Sequence, residues 1–437
     1  MTDLTQGNIK KQFLFLSIPL IIGDFLQQLY NMVDSLIAGW MINENAFTAI
    51  GVAGSIMNLF IFIINGSCNG ITILYSQYFG QKDMDRLQKE TFVSIVFGLG
   101  LSLILTIIGL IFLKPILVLL HTPLLIQEDV YHYLWVIDCF LFVTFFYNWA
   151  SCVLRAFGDS KAALYFLMVS VGINVVLDVL FVSLYATVVS LAYATILAQG
   201  ISSLLSVFYL YKKYPFILFH RNQLKNLKRM FSRTIQYGLV SAMHQSSLFI
   251  GKLLIQGAIN TCDFSIVTAY AITTRIETLI NSFGNSGSQA ISILVGQNYG
   301  AGNKKRIKDS LFTGGKLMAL ICAVGSVLMV IFCKPLTSLF VSLDSTKVVS
   351  QTYDYIVIVA LFYEFCFIGY AFVGYFKGLG MVNVPVIGTT MHVILRVILS
   401  FVFVQKFGLI AVALATGIGW ACLNVYQVIV YKKRSVI

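Results

Sequence analysis

The sequence predicts an all-α integral membrane protein with twelve transmembrane helices in two pseudo-symmetric six-helix bundles. Three observations lead there. First, 58% of the 437 residues are hydrophobic and only 11% are charged, against roughly 45–50% and about 25% in a soluble domain. Second, apolar runs long enough to cross a bilayer recur along the whole chain. Third, the second half repeats motifs of the first. This composition excludes an ordinary soluble enzyme, a disordered protein and a nucleic-acid reader. The eight cysteines contain no Cys-x-x-Cys pair and mostly sit in apolar runs. They read as small buried apolar residues rather than as a disulfide framework or metal site.

A bilayer core about 30 Å thick takes roughly 20 residues of helix. On that measure the spans fall at 13–40, 46–76, 91–113, 130–154, 162–186 and 188–211, then 234–260, 264–296, 309–333, 351–376, 384–405 and 408–431. The first run is too long for a secretory signal and lacks a small-residue cleavage site, so it reads as the first span. The run at 46–76 is long enough to imply tilt or an interfacial end. Almost no loop separates 162–186 from 188–211.

Charge placement orients the spans. With the N-terminus inside, 22 of the 30 lysines and arginines fall on inner segments. They include Lys10, Lys11, Lys82, Arg86, Lys89, Arg155 and Lys161, then Lys212, Lys213, Arg221, Lys225, Lys228, Arg229 and Arg233. In the second half they include Lys304, Lys305, Arg306, Lys308, Lys377, Lys432, Lys433 and Arg434. The outer segments hold only Lys114, Lys334, Lys347 and Lys406. This split obeys the positive-inside rule and puts both termini in the cytoplasm of a plasma (inner) membrane. The net charge of +12 thus reports topology, with contact to anionic lipids.

Residues 71–89, ITILYSQYFGQKDMDRLQK, resemble 291–309, ISILVGQNYGAGNKKRIKD. Gln77, Gly80 and Arg86 find identical partners in Gln297, Gly300 and Arg306. Near an offset of 222, Arg155-Ala-Phe-Gly158 faces Lys377-Gly-Leu-Gly380, and Ala194-Thr195 faces Ala415-Thr416. The expected organisation is a first bundle at 1–211, a basic cytoplasmic linker at 212–233 and a second bundle at 234–437. Six spans per half is an even number, so the halves are parallel repeats, as in transporters with a central cavity.

Ionisable side chains are costly at membrane depth and each prompts a functional hypothesis. Asp34, Asp138, Asp178 and Thr195 come from four helices of the first half at roughly one level. Gln27, Asn31 and Asp34 form a stripe at helical spacing, as do Ser170, Asn174 and Asp178. Carboxylate, amide and hydroxyl oxygens in a partly dry cavity suit a proton or Na+, because a carboxyl group taken out of water holds a proton more readily. The alternative is that these groups hydrogen-bond between helices and fix packing. The second half does not copy the acids. It carries Arg275, Glu277, Glu364 and Arg396 near mid-depth, with Asn281 on the Glu277 stripe. These read either as a structural ion-pair set, Arg396 neutralising Glu364 or Glu277, or as a substrate-facing charge network. Lys252 and Lys316 are expected to snorkel toward the interfaces, and His244 and His392 to be packing residues.

No Gly-x-x-x-x-Gly-Lys-[Ser/Thr] loop, Ser/His/Asp pattern or His-Glu-x-x-His motif occurs, so ATP hydrolysis and enzyme chemistry are not expected. Transport would draw on an ion or substrate gradient, without a cofactor.

An ordered set of signatures now stands out: Pro19, Val33-Asp34-Ser35, Ala38-Gly39, Gln77-x-x-Gly80, Arg155-Ala-Phe-Gly158-Asp159, Asn174-Val-Val-Leu-Asp178, Ala194-Thr195 and Gln297-Asn-Tyr-Gly300-Ala301. Across essentially the whole chain it resembles the multidrug and toxic compound extrusion (MATE) family. The resemblance implies two bundles around a V-shaped cleft, and export of amphipathic, cationic organic compounds against H+ or Na+. By motif, Asp34 resembles the family's first-helix acid that binds the coupling ion. Asn174 and Asp178 match its fifth-helix pair, Thr195 its sixth-helix hydroxyl, and Tyr30 lies one turn from Asp34. Two departures are visible. Val188-Val-Ser-Leu replaces a small-residue stretch, and the seventh span lacks a proline near Gly238. The rival readings are a flippase for lipid-linked oligosaccharides of the same wider superfamily, which needs a more cationic lumen, and a non-transporting scaffold. The expected partners are the lipid bilayer and small organic substrates, with a monomer as the working unit.

Overall fold

Every predicted span is helical in the computed structural model of the protein, which describes residues 3–218, 227–342 and 344–434. In the first half, α1 (Ile9–Met41), α2 (Glu44–Gln81) and α3 (Met84–Leu119) are followed by α4 (Leu124–Cys139), α5 (Leu141–Ala156), α6 (Ser160–Tyr185) and α7 (Val188–Lys213). A 3-10 turn, Pro215–Ile217, comes next. Then follow α8 (Leu227–Ile259), α9 (Phe264–Gly300), α10 (Lys304–Ile331), α11 (Cys333–Ser338), α12 (Thr346–Gly378), α13 (Asn383–Phe407) and α14 (Leu409–Arg434). No strand occurs among the described residues. Part of the expected linker, 219–226 with Arg221 and Lys225, lies outside them.

The predicted span 130–154 needs a correction, because it is not one helix. α4 and α5 meet at Phe140 with a bend of 54°. No proline or glycine stands there. The Thr106 hydroxyl donates to the Asp138 carbonyl at 2.6 Å, so a backbone acceptor at the break is satisfied from α3. Among the described residues nine helices are long and apolar enough to cross a bilayer, or ten with the bent pair. α8 and α9 are 33 and 37 residues long but fall outside that set. They carry Lys252, Arg275, Glu277 and Asn281, which dilute their apolar faces.

The repeat is visible in local chemistry. Asp83 caps α3 by accepting from the Arg86 amide at 3.0 Å, and Asn303 caps α10 by accepting from the Arg306 amide at 3.1 Å. The residue before each cap is left-handed, Lys82 at φ 58° and Gly302 at φ 72°. Gly158 and Gly380, also counterparts, have φ 77° and 79°. Beside Gly158, the Asp159 carboxylate accepts from Lys213 Nζ at 2.7 Å, Tyr214 at 3.1 Å and Tyr209 at 3.2 Å, which ties the end of α7 to the start of α6.

The helices pack into two units, which divide inside α1 and inside α8. The first holds Ile18–Ala242 and the second Leu4–Ser17 with Met243–Ile437. This differs from the expected division at 211 and 234 in two segments, and each has a physical reason. In the first unit the start of α8 lies directly on α2. A Cβ at Gly70 would sit 2.2 Å from the Tyr237 carbonyl oxygen, and one at Gly66 2.7 Å from Ala242 Cα. The Thr234 hydroxyl also reaches the fully buried Glu90 carboxylate of α3, at 2.9 and 3.1 Å from its two oxygens. In the second unit, Arg306 donates to the Gly7 carbonyl at 2.8 Å, the Leu4 carbonyl at 2.9 Å and Gln12 Oε1 at 2.9 Å. Its Nε donates to Asn298 Oδ1 at 3.0 Å.

The core of the second unit is aromatic and branched, centred on Tyr355, Tyr363, Phe367 and Phe376 of α12, all nearly inaccessible. α12 packs against α9, α10 and α14, and α13 against α14. In the first unit α2 and α5 are central, with α6 and α7 paired on one side.

Candidate functional site

The residue spacing on α6 sets up the polar centre of the first unit. Asn174 and Asp178, four residues apart, lie on one helical face. Asp34 of α1 and Thr195 of α7 close around them. With the Asn174 amide oriented by its neighbours, its nitrogen donates to Asp178 Oδ2 at 2.8 Å and to Asp34 Oδ1 at 3.2 Å. The other amide atom lies 3.5 Å from Thr195 Oγ1, and Tyr30 Oη is 3.1 Å from the same hydroxyl. Asp178 is 0% exposed, Asn174 2% and Asp34 6%. Asp178 Oδ1 is buried with no hydrogen-bond partner among the described residues. Two carboxylates thus share one amide donor in a nearly dry setting, and the buried Tyr133 of α4 feels the charge of both.

Beside this cluster is a cleft with about 270 Å³ of empty space, part of it open to solvent. Gln27, Tyr30, Tyr147, Ser170, Asn174 and Gln199 contribute polar groups to its wall. Gln199 Oε1 is held by the Thr144 hydroxyl at 2.9 Å.

The structure brings together Asp34, Asn174, Asp178, Thr195 and Tyr30. It places Gln27 on the adjoining cleft and leaves Asn31 exposed. Asp138 is a correction, because its matched depth does not bring it into the cluster. Its carboxylate points toward α3, where a Cβ at Gly109 would lie 2.6 Å from Oδ2. Both of its oxygens are buried and without a hydrogen-bond partner among the described residues. Tyr133 and Asp138 both stand on α4, five residues apart and so on different faces of the helix, and the charges of Asp34 and Asp178 act on Tyr133. Depth gives a residue's height in the membrane but not its azimuth, so Tyr133 was missed. In a chain with 22 tyrosines its spacing carried no signal.

The second-half charges separate. Glu277 is 8% exposed, accepts from the Tyr363 hydroxyl at 3.4 Å, and feels the charges of Arg396 and Lys252. No Glu277–Arg396 ion pair within 4.0 Å occurs among the described residues. Glu364 is half-buried near Cys322, and no Glu364–Arg396 ion pair within 4.0 Å occurs among the described residues either. Arg275 is exposed and stacks over Phe340 at 5.7 Å. Asn281 accepts from the Cys366 thiol at 3.8 Å. Lys252 is exposed, although its charge still acts on Glu277. His392 is a packing residue, stacked on Trp420 at 6.2 Å, whereas His244 meets Lys377.

Comparison with known proteins agrees with this architecture. The MatE family model matches the chain twice, over residues 19–180 and 241–402. The chain is 27% identical to "Probable multidrug resistance protein YpnP" of Bacillus subtilis (strain 168), covering 96% of this chain and 94% of that protein. It is 24% identical to "Multidrug export protein MepA" of Staphylococcus haemolyticus (strain JCSC1435), covering 98% and 95%. Its fold matches an outward-facing structure of a multidrug resistance MATE family transporter of the MOP superfamily with a TM-score of 0.90 at 21% identity, over 99% of this chain and 97% of that one. With a family model matching both halves and an all-helical fold of the same kind, this chain belongs to the MatE family of multi-pass membrane transporters.

Proposed function

We propose that the protein is an antiporter that exports amphipathic, cationic organic compounds in exchange for H+ or Na+. The observation that carries this is the shared donor. Asp34 and Asp178 both lean on the Asn174 amide while buried. Two adjacent carboxylates out of water cannot both stay ionised without a cation between them or a proton on one. A proton or Na+ therefore completes the cluster. The donor set of carboxylate, amide and hydroxyl oxygens suits a hard monovalent cation. Binding of the ion changes how α1 and α6 are held together, and through them the cleft lined by Gln27, Tyr30 and Ser170. Substrate and ion compete for one set of acids, so ion entry releases substrate.

Both termini are cytoplasmic in the plasma membrane, on the strength of the 22-to-4 split of inner and outer cations, and the working unit is a monomer. Its two repeats, 1–211 and 234–437, are joined by the basic segment 212–233. The multidrug names of its relatives favour a broad substrate range. The deciding test uses proteoliposomes loaded with a fluorescent organic cation, under an imposed pH gradient or an imposed Na+ gradient. Export under one of them, lost in Asp34→Asn and in Asp178→Asn, is the expected result. Equal export by folded variants and wild type would overturn the reading.

A further inference from the structure

One hydroxyl of the first unit has more oxygen neighbours than it has hydrogens. Thr234 Oγ1 on α8 lies 2.9 Å from Glu90 Oε1, 3.1 Å from Glu90 Oε2 and 3.0 Å from the Met230 carbonyl oxygen. A hydroxyl has one hydrogen to give. Other buried threonines of this chain give it to the carbonyl four residues back, as Thr72 does to Cys68, Thr91 to Leu87 and Thr416 to Val412. If Thr234 does the same, its contact with Glu90 needs a hydrogen from the carboxyl group. If Thr234 gives its hydrogen to an ionised Glu90, the Met230 carbonyl goes without it. The site therefore has two hydrogen-bond arrangements that differ by one proton.

The surroundings make that proton matter. Glu90 is 0% exposed, and no ion pair within 4.0 Å reaches it among the described residues. An ionised carboxylate beside one neutral donor is costly away from water. Burial pushes the Glu90 carboxyl up to about 8, against the Thr234 hydrogen bond and the Arg233 charge. Arg233 of α8 stands over the Tyr78 and Tyr237 rings, at 6.0 and 5.7 Å. From α2, Tyr75 and Tyr78 feel the charge of Glu90. α4, α5 and the turn Pro215–Ile217 also pack against α3, but bring no group whose charge acts on Glu90. Glu90 stands at the basic end of α3 with Arg86 and Lys89, one residue before the span at 91–113.

We propose that Glu90 is a second proton-binding site, separate from the Asp34 cluster, and that with Thr234 it forms a pH-sensitive latch between α3 and the start of α8. With its proton, Glu90 donates to Thr234 and Thr234 donates to Met230, so all three groups are satisfied. Without it, the one hydroxyl hydrogen serves a buried charge, the Met230 carbonyl loses that donor, and the hold on α8 weakens. The sign follows from linkage. A carboxyl raised on folding from its ordinary 4.5 to about 8 contributes stability that is full below the first value and is lost as pH rises through the second. The latch is closed at low pH and loosens toward alkaline pH.

The test is amide hydrogen exchange of the purified full-length protein in a neutral detergent, from about pH 5 to about pH 9, across the window where the proton is released. Wild type and Glu90→Gln are compared at each pH, so the intrinsic pH dependence of exchange cancels. The expected result is a wild-type to variant rate ratio over residues 230–242 that grows with pH, by up to about tenfold per unit. The ratio at the centre of α12 should stay flat. Thr234→Ser keeps the hydroxyl and should behave as wild type. Infrared spectra supply an independent reading. A protonated-carboxyl band that fades at alkaline pH should be present in wild type and missing in Glu90→Gln. In Thr234→Val the same band should shift, because the carboxyl hydrogen loses its acceptor, which decides the matter if Glu90→Gln does not fold. A rate ratio that does not change with pH, or no titrating carboxyl band altered by Glu90→Gln or Thr234→Val, overturns the proposal.

Discussion

The Asn174 amide nitrogen stands 2.8 Å from Asp178 Oδ2, one helical turn away on α6, and the same nitrogen reaches Asp34 Oδ1 of α1 at 3.2 Å. One donor thus holds two buried carboxylates from different helices. Replacing it by an isosteric apolar group should loosen the pair without removing either charge. Asn174→Leu is expected to reduce gradient-driven export by roughly tenfold to a hundredfold, the scale of a hydrogen bond to a charged group. Asn174→Gln should recover part of that. Initial efflux rates of a fluorescent cation in proteoliposomes measure both.

Asp138 offers the reverse expectation. Its carboxylate faces Gly109 of α3 rather than the Asp34 cluster, and it makes no hydrogen bond among the described residues. Asp138→Asn should keep the ion dependence of export, in contrast to Asp34→Asn. A lost or altered ion dependence in folded Asp138→Asn would place it in the coupling path after all.

Thr234 donates to a fully buried carboxylate. Thr234→Val strands Glu90, and a buried group left unpaired costs about 1–3 kcal/mol. The thermal midpoint in detergent should fall clearly. Glu90→Gln should cost less, because the Thr234 hydroxyl can still donate to an amide oxygen. Equal midpoints for Thr234→Val and wild type would show that Glu90 finds another partner.

Gly70 permits backbone contact between α2 and α8, with a Cβ there only 2.2 Å from the Tyr237 carbonyl. Gly70→Ala should sharply reduce the yield of monodisperse protein. Gly51 lies on the same helix with open space where a Cβ would go. Gly51→Ala should be neutral or stabilising by about 0.5–1 kcal/mol. Size-exclusion profiles of the two variants side by side provide the check.

Arg306 donates to two carbonyls and one amide oxygen of the segment Leu4–Ser17. A lysine cannot span all three, since its ammonium lacks the planar fork. Arg306→Lys and Arg306→Ala should both speed amide hydrogen exchange in residues 4–17 and leave the centre of α12 unchanged. Unaltered exchange in 4–17 would assign the hold on that segment to Leu4 burial instead.

The sequence by itself determined the membrane class, the helical spans and the twofold repeat. Each is written in periodicity and composition, which need no neighbour to be read. The Asn174/Asp178 spacing, and Asp34 and Thr195 by height and motif, were legible for the same reason. Tertiary structure decided the rest. The break at Phe140 and the turn of Asp138 toward α3 involve Thr106 and Gly109 of another helix. The separation of Arg275 and Glu364 from the Glu277–Arg396 group depends on rotation about helix axes, which span positions do not record. The His244–Lys377 contact joins residues 133 apart and is visible only once both side chains have a place. Local pattern fixes what a segment is, whereas charge compensation is a property of the packed neighbours.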